Sequence, residues 1–357
     1  MYPALAVYHA LRAKDPGLET LWVGGEGGME ADLVKRAGVP FNTIPAAGLH
    51  GVGLRALPRN LSQLARGALA ARRILTDFQP DVLFFTGGFL AGPVAFAART
   101  SPPRDRRINM LVYVPDIEPG MALKSLARFA DRIAVSTDES RKYFQKPVLV
   151  TGYPVRADLL NWTRESGRAA LRLSNEMPVL LVFGGSKGAR SINQALTAHL
   201  DTLLDMAQIV HVTGHLDWET VQAAGKHLTP VRKARYHAFP YLHDEMGAAL
   251  AAADLAVSRA GASSLGELPL HGLPSVLVPY PHAWRYQKVN ADYLAQRGAA
   301  IILPDELLQE QLVQIITDLL QNPAKRQAMQ SAMRALARPQ AAQAIADQLA
   351  ALGGRAP

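Results

Sequence analysis

The sequence predicts an α/β fold made of two doubly wound halves, each a parallel sheet covered by helices. Three observations predict it. Short apolar runs alternate with amphipathic stretches along the chain, several of these runs end in glycine-rich turns, and the alternation restarts after a hinge at 152–177. A length of 357 residues suits two domains, and 49% hydrophobic residues can fill two cores.

The first half, residues 1–155, is expected to be a Rossmann-like domain. Short apolar runs indicate its strands, and amphipathic stretches indicate its helices. Pro3 is tolerated in the first turn of the opening helix, and Gly38 ends the second helix. The predicted strands are 21–23, 41–44, 82–85, 110–114 and 133–136, and the predicted helices are 2–13, 29–37, 61–78 and 91–98.

The second half, residues 156–335, is expected to be a second Rossmann-like domain, followed by a helical tail at 336–357. Its predicted strands are 179–183, 209–212, 236–239, 255–258 and 275–278, and helices fill 306–352. Doubly wound sheets bind ligands at the carboxyl ends of their strands. The loops that directly follow strands are therefore the places to look for chemistry.

Composition excludes several classes of protein. The absence of cysteine excludes disulfides, thiolate metal sites and cysteine nucleophiles, and fits a reducing compartment. The most apolar window, residues 83–98, is broken by glycine and proline, so no transmembrane helix is expected. Neither a signal peptide nor a nucleic-acid motif is recognisable. A cytoplasmic or membrane-peripheral protein is expected.

Positive charge is concentrated in residues 51–107. The chain has a net charge of +8, and this stretch holds nine arginines and three aspartates among regularly spaced leucines. One interpretation is a helix that packs its leucines inward and leaves a solvated basic face. The other is contact with an anionic membrane surface, to which each nearby basic residue contributes about 1 kcal/mol.

The strongest local motif follows the apolar run 179–183. Gly184-Gly185-Ser186-Lys187-Gly188 leads from this strand into a helix. Glycines let a ligand approach the backbone closely, the helix N-terminus offers N–H groups to an anion, and Lys187 suits a phosphate. The sequence is neither a Walker A loop nor a GxGxxG motif, and a tight turn without a ligand stays open.

Three more loops follow strands. After 255–258, a small-residue loop leads to Glu267, which can accept bonds from two vicinal hydroxyls or simply complement a helix dipole. After 275–278, Gln287 and Asn290 share one helix face, whereas His282 is expected to be solvated. After 82–85, a glycine turn offers backbone contacts at Gly87 and Gly88.

Together these motifs resemble one family. The segments that carry the resemblance are 2–7, 87–93, 153–156, 184–194, 261–267, 287 and 290–291. The family is that of bacterial undecaprenyldiphospho-muramoylpentapeptide β-N-acetylglucosaminyltransferases, within glycosyltransferase family 28. The resemblance covers nearly the whole chain. It implies a GT-B architecture with an inter-domain cleft, in which residues 1–155 face the acceptor and the membrane. It also implies an inverting transfer to a lipid-linked acceptor at the cytoplasmic face of the membrane, and no metal or other cofactor.

The resemblance also implies a UDP-sugar donor, UDP-N-acetylglucosamine, held mainly by the second half. The residues expected to bind it are Gly185, Ser186, Lys187, Gly188 and Arg156 at the diphosphate, Leu242 and His243 beside the uracil, Gly261, Ala262, Ser263, Ser264 and Leu265 along the phosphates, Glu267 at the ribose, and Gln287 with Asn290 at the sugar. Lys187 replaces a glutamine that is usual in the family.

The start of the chain departs from the family. A strand and a Gly-Gly-Thr-Gly-Gly-His loop, which bind acceptor diphosphate and supply a candidate base, are absent before Tyr2. Asp116 takes the place of a family asparagine, and Asp116 and His50 are the candidate catalytic bases. Without a mid-sheet strand, unpaired backbone groups and a gap in the core are expected. One explanation is that translation starts upstream of Met1.

Three alternatives stay open at this point. A related transferase with a diacylglycerol acceptor would share the donor loops. A catalytically impaired UDP-sugar-binding protein would explain the absent acceptor loop. A sugar-nucleotide 2-epimerase would share the architecture, although its catalytic carboxylates and histidine cannot be assigned in this sequence.

Overall fold

The computed structural model of the protein describes residues 1–27, 30–45, 57–87, 90–100, 107–185, 188–282 and 286–354. The chain forms two compact units. Unit 1 comprises Met1–Pro154 with Gln340–Pro357, and unit 2 comprises Val155–Pro339. Both units are α/β, and all the strand pairs in the described part of the chain are parallel. The predicted fold class is confirmed.

Twelve strands are found among the described residues. They are β1 Trp22–Gly25, β2 Phe41–Ile44, β3 Val82–Phe85, β4 Asn109–Val114, β5 Arg132–Val135, β6 Leu149–Val150, β7 Val179–Phe183, β8 Gln208–Val212, β9 Tyr236–Phe239, β10 Leu255–Ser258, β11 Ser275–Leu277 and β12 Ala300–Ile302. The bounds predicted for β2, β3, β7, β9 and β10 agree with the structure. The sequence analysis did not predict β6 or β12, which are only two and three residues long.

Helices lie between most of the strands. They are α1 Tyr2–Lys14, α2 Glu30–Arg36, α3 Leu57–Phe78, α4 Ala91–Thr100, α5 Met121–Ala127, α6 Arg164–Ala170, α7 Arg190–Ala198, α8 Leu200–Leu204, α9 Trp218–Gly225, α10 Pro230–Lys233, α11 Glu245–Ala252, α12 Glu267–His271, α13 Tyr286–Gln296, α14 Leu308–Gln321, α15 Pro323–Ala335 and α16 Ala341–Leu352. None of those in the described ranges is long and apolar enough to cross a membrane.

Unit 2 contains one continuous sheet, in the order β12-β11-β10-β7-β8-β9. Numbered within the unit, this is the doubly wound order 3-2-1-4-5-6 read from its other edge. Its first strand, β7, is central and pairs with both β8 and β10. Leu180 and Val182 of β7 are buried in a core that also contains Ile192 of α7 and Leu312 of α14. The loops that carry the candidate donor residues therefore leave a well-packed sheet.

Unit 1 contains two separate sheets. Among the described residues, one has the order β3-β4-β5-β6, and the other contains β1 and β2. A cavity of about 1270 Å³ lies between them and is lined by residues of both β1 and β3. The sheet of unit 1 is thus interrupted where that of unit 2 is continuous.

The last helix belongs to unit 1, whereas the sequence analysis set residues 336–357 apart as a tail. Ile345 and Leu349 of α16 share a buried cluster with Val7 of α1 and Tyr113 of β4. The Asn109 side chain also donates to the carbonyl of Leu352 at 2.8 Å. The apolar stripe of α16 is the physical reason, because it needs a partner surface and finds one on α1 and β4.

Candidate functional site

Two glycines of the turn between β7 and α7, Gly184 and Gly188, have no room for a side chain. A Cβ on Gly184 would lie 2.3 Å from the nitrogen of Ala189, and one on Gly188 would lie 2.3 Å from the carbonyl oxygen of Thr213. Gly185 and Gly188 have φ angles of 86° and 80°, which favour glycine. Ser186 and Lys187, predicted to meet the diphosphate, lie outside the described residues.

The first turn of α7 leaves its N–H groups available to a ligand. Ala189 occupies the N-cap position, and no side chain caps the helix there. Uncapped N–H groups and the helix dipole favour an anion. Because the glycine turn delivers the backbone to the same place, this end of β7 can hold a phosphate group.

A buried polar network supports the turn from below. The Asn193 side chain donates to the Thr213 carbonyl at 2.8 Å and to Asp217 at 2.9 Å, and it accepts from Nε2 of His211 at 2.9 Å. Tyr236 donates to Nδ1 of His211 at 2.8 Å. Burial lowers the pKa of His211 to about 3, so this ring is neutral and acts as a fixed spacer between β8 and α7.

Arg259 ties three loops of the same edge together. It lies directly after β10, is buried, and donates to the Val278 carbonyl at 3.2 Å and to Ser191 of α7 at 2.7 Å. It also forms an ion pair with Asp305, and its guanidinium lies 5.1 Å from the ring centre of Tyr280. The loops after β10 and β11 are therefore locked to the start of α7.

Glu267 and Arg156 form the charged part of the site. Glu267 starts α12 and is partly buried, and its removal from water raises the pKa of this carboxyl group to about 7. A hydrogen bond with Ser263 and the positive charge of Arg156 act in the opposite direction. Arg156 also donates to the carbonyl of His243 at 3.4 Å. A carboxylate, a guanidinium and a backbone carbonyl thus meet at one place.

The small-residue loop after β10 presents mostly backbone. Gly261 has open space where a Cβ would stand, and Ala262 and Ser263 are partly exposed. The side chains of Ser264 and Leu265 are buried, and the Ser264 hydroxyl donates to the Arg259 carbonyl at 3.1 Å. Ser264 and Leu265 can therefore reach a ligand only through their main chain.

An aromatic cluster lies beyond β8 and β9. Leu242 is buried, His243 is exposed, and the rings of Tyr241 and His243 meet edge to face at 4.6 Å. His215, which follows β8, stacks against Tyr241 with ring centres 6.0 Å apart. The exposed rings offer a flat partner to a planar base.

Gln287 and Asn290 of α13 have different surroundings. The Gln287 side-chain oxygen accepts from the backbone N–H of Tyr280 at 2.9 Å, which fixes its amide near the loop after β11. Asn290 is fully buried, and its amide donates to the Ala260 carbonyl at 3.2 Å. The two residues share a helix face as predicted, but Asn290 supports the loop after β10 from behind.

In unit 1, two predicted residues come to one edge. Gly87 follows β3 with a φ of 128°, and Asp116 follows β4, the neighbouring strand. The Ser136 hydroxyl donates to the Pro115 carbonyl at 2.7 Å and is itself 2.7 Å from the hydroxyl of Tyr113. This buried chain fixes the backbone that carries Asp116. His50 and Gly88 lie outside the described residues.

Sequence reasoning assigned no role to Arg259, Asn193 or Tyr241. Arg259 and Asn193 act through partners that are distant in sequence, and only the strand order brings these partners close. For Tyr241 a signal existed, since it adjoins two predicted uracil contacts. Among the described residues no group of three or more metal-ligating side chains comes together.

Comparison with known proteins gives consistent results. Residues 1–135 match the model of the glycosyltransferase family 28 N-terminal domain, and residues 179–348 match that of the family 28 C-terminal domain. A curated protein of Roseiflexus sp. (strain RS-1) is 41% identical, with 97% of this chain and 91% of the relative covered. It is named UDP-N-acetylglucosamine--N-acetylmuramyl-(pentapeptide) pyrophosphoryl-undecaprenol N-acetylglucosamine transferase.

Two further matches agree with it. A protein with the same name from Desulforudis audaxviator (strain MP104C) is 37% identical, covering 99% of this chain and 96% of the relative. The crystal structure of Acinetobacter baumannii MurG superposes with a TM-score of 0.74 at 27% identity, covering 98% of this chain and 95% of that one.

Proposed function

The chain belongs to glycosyltransferase family 28, and on that premise we propose that it transfers N-acetylglucosamine from UDP-N-acetylglucosamine to undecaprenyl-diphospho-N-acetylmuramoyl-pentapeptide in peptidoglycan synthesis. One observation carries the proposal. The glycine turn, Arg156 and Glu267 all lie at the carboxyl edge of the unit 2 sheet, on a chain similar along nearly its whole length to curated transferases of that name.

The donor diphosphate would lie at the glycine turn. Backbone N–H groups at the start of α7 favour an anion there, and Arg156 adds a positive charge. Lys187 would add another. As the bond to the sugar breaks, negative charge grows on the diphosphate, so the same groups would stabilise the transition state.

Glu267 would hold the ribose. An ionised carboxylate has two oxygens and can accept a hydrogen bond from each of two vicinal hydroxyls. Since the pKa of this carboxyl group is about 7, ionisation of Glu267 should strengthen donor binding, and donor binding should in turn favour the ionised form. Tyr241 and His243 would flank the uracil with Leu242 beneath them, and Gln287 would contact the sugar hydroxyls.

The reaction needs a base. The acceptor hydroxyl attacks the anomeric carbon, the bond from that carbon to the diphosphate oxygen breaks, and UDP leaves with the electron pair. The hydroxyl proton passes to the base. Asp116 is the base we propose, because its backbone is fixed by Ser136 and it lies at the same sheet edge as Gly87. His50 remains the second candidate.

Unit 1 would bind the membrane that carries the acceptor. Leu61 and Leu69 of α3 are 53% and 63% exposed, so these leucines do not pack inward, and Phe96 of α4 is 62% exposed. Arg66 and Arg73 are exposed on the same helix as the two leucines. Apolar side chains flanked by arginines suit peripheral binding to an anionic lipid surface, as at the cytoplasmic face of the inner membrane.

Calorimetry with UDP-N-acetylglucosamine, followed by a transfer assay with the lipid-linked muramoyl-pentapeptide, tests the proposal. We expect binding and transfer of one sugar per acceptor. Failure to bind the donor would contradict the assigned site, whereas transfer only to diacylglycerol would identify a different acceptor.

A second candidate is a UDP-sugar-binding protein that does not catalyse transfer. The interrupted sheet of unit 1 favours it, because unit 1 is the proposed acceptor side and its described strands form two separate sheets. Donor binding without transfer to either acceptor would support this candidate.

A further inference from the structure

Arg156, one of the two charged residues of the proposed donor site, lies directly before a short 3-10 helix, and residues 156–160 together form the Arg156 turn. The N–H of Leu159 donates to the Arg156 carbonyl at 3.2 Å, which closes the turn. The guanidinium lies 3.4 Å from the carboxylate of Asp158 in the same turn and 3.4 Å from the carbonyl oxygen of His243. The direction of the Arg156 side chain therefore depends on how this turn is held.

The Arg156 turn packs closely against α11. Leu159 is only 2% exposed. A Cβ on Gly247 of α11 would lie 2.9 Å from Cα of Leu159 and 2.6 Å from Cδ1 of Trp162, so only glycine permits this approach. Apolar packing is not directional, so it keeps the turn close to α11 without setting its orientation.

His271, the last residue of α12, supplies a directional contact. A ring N–H of His271 donates to the Leu159 carbonyl. Nε2 is buried and has no hydrogen-bond partner among the described residues, so the N–H that donates is that of Nδ1. Burial lowers the pKa of His271 to about 4. At neutral pH the ring is therefore uncharged, and its single proton is used in this bond.

The same helix carries the second charge of the site. α12 begins at Glu267 and ends at His271, so these two residues lie one helical turn apart. One end of α12 thus presents the carboxylate, and the other end holds the Arg156 turn. The positive charge of Arg156 reaches the carboxylate, since it lowers the pKa of Glu267 against the effect of burial.

We propose that His271 is a positioning residue of the donor site, which holds the Arg156 turn through the Leu159 carbonyl so that Arg156 and Glu267 act on the same UDP-sugar. This inference rests on the proposed function for the identity of the ligand, whereas the link from His271 to Glu267 can be measured without one. A side chain without an N–H group at this position would break the bond, and the turn would shift to pair the Leu159 carbonyl with water.

The test compares substitutions in the full chain. His271→Leu removes the N–H group and keeps an apolar side chain, and His271→Ala removes it without new packing, so the result does not depend on how leucine fits. His271→Asn retains an N–H group close to the position of Nδ1. The matched control is His237→Leu, because His237 is also partly buried, also has a buried Nε2 without a described partner, and bonds to the backbone of Ala234 instead.

Three quantities are measured. NMR of labelled glutamate side chains gives the titration midpoint of Glu267 without ligand, and Glu267→Gln identifies its resonance. Hydrogen exchange with mass spectrometry follows peptides that cover residues 155–163, and calorimetry gives the affinity for UDP-N-acetylglucosamine at pH 8.

We expect His271→Leu and His271→Ala to move the Glu267 midpoint to higher pH, because Arg156 moves away from the carboxylate. Exchange in the Arg156 turn should become about tenfold faster, and binding of the UDP-sugar about fivefold weaker. His271→Asn and His237→Leu should leave all three quantities unchanged.

An unchanged Glu267 midpoint in both His271→Leu and His271→Ala would overturn the proposal, even with a lower free energy of unfolding, because a merely structural histidine affects stability alone. Equal effects of His271→Asn and His271→Leu would also overturn it, since the hydrogen bond would not be the cause. A shifted midpoint in a chain that does not bind the UDP-sugar would support the link from His271 to Glu267 and contradict the proposed function.

Discussion

A comparison of the sheets of unit 1 and unit 2 shows that the burial of a strand depends on the strands beside it. In unit 2, all four residues of β10 are buried, since the strand pairs on both edges. In unit 1, β3 occupies the corresponding place, is equally apolar, and buries only Phe85 fully. An apolar run therefore forms a strand in either unit, but its side chains are fully buried only where the sheet is continuous.

The largest expected effect is a difference in unfolding free energy between matched substitutions in the two sheets. Leu180→Ala in β7 removes a side chain from a close-packed core and should lower the free energy of unfolding of unit 2 by about 3 kcal/mol. Leu83→Ala in β3 removes one that already borders a cavity and should cost unit 1 only about 1 kcal/mol. Urea unfolding, with hydrogen exchange to distinguish the units, measures both. Equal losses would mean that the interrupted sheet is packed as tightly as the complete one.

The Asp116→Asn variant tests whether unit 1 contributes to the transfer reaction. If Asp116 takes the acceptor proton, the amide should lower kcat by at least about a hundredfold and leave donor affinity unchanged. Steady-state transfer kinetics and donor calorimetry together make the distinction. Unaltered kcat would exclude Asp116 as the base and leave His50 as the residue to substitute next.

The Glu267→Ala variant tests whether unit 2 binds the donor through this carboxylate. Loss of the carboxylate should weaken binding of UDP-N-acetylglucosamine by at least tenfold, or about 1.4 kcal/mol. The control is Glu219→Ala, which removes an exposed carboxylate of α9 in the same unit. Isothermal titration calorimetry gives both affinities, and equal affinities would remove Glu267 from the donor site.

The pH dependence of donor binding should follow the same residue. The pKa of Glu267 is about 7, above its usual value. Without the donor, its carboxyl group is therefore increasingly protonated as the pH falls through 7. Because the ionised carboxylate accepts the ribose hydroxyls, donor affinity should fall, by somewhat less than tenfold, from pH 8 to pH 6. Glu267→Gln should abolish this change. A slope that persists in the variant would assign the titration to another group.

The smallest effect concerns the exposed face of α3. Arg66→Gln should weaken binding to vesicles of anionic lipid about fivefold, which corresponds to about 1 kcal/mol per charge, and should not affect neutral vesicles. Lys226→Gln, an exposed charge in unit 2, is the control. Vesicle co-sedimentation measures both, and equal weakening by the two variants would show that α3 is not the membrane-binding surface.

The sequence predicted the units and most strands because their signals are local. A run such as 179–183, preceded by Pro178 and followed by Gly184, carries its own evidence of a strand. β12 was not predicted from the sequence, and its position at the edge of the sheet is set by its pairing with β11. α3 begins at Leu57, four residues before the predicted start, since Pro58 is compatible with a first turn.

The candidate site was predictable where residues lie in loops and unpredictable where they meet across the fold. The loop positions of Glu267 and Gly188 follow from the strand that precedes each of them. The contact of Asn193 with His211 depends on the register of β8 and the rotation of α7, which no local pattern specifies. The exposure of Leu69 likewise depends on which face of α3 finds a partner.

The packing of α16 on α1 has a consequence for the order in which the protein can fold during synthesis. Unit 2 is one uninterrupted stretch, Val155–Pro339, and all of it is synthesised before α16. Unit 1 needs α16 to cover Val7 and Tyr113, so its core closes only when the last residues emerge. The first half to be made is therefore the last to mature, and it must pass that interval with an apolar surface uncovered.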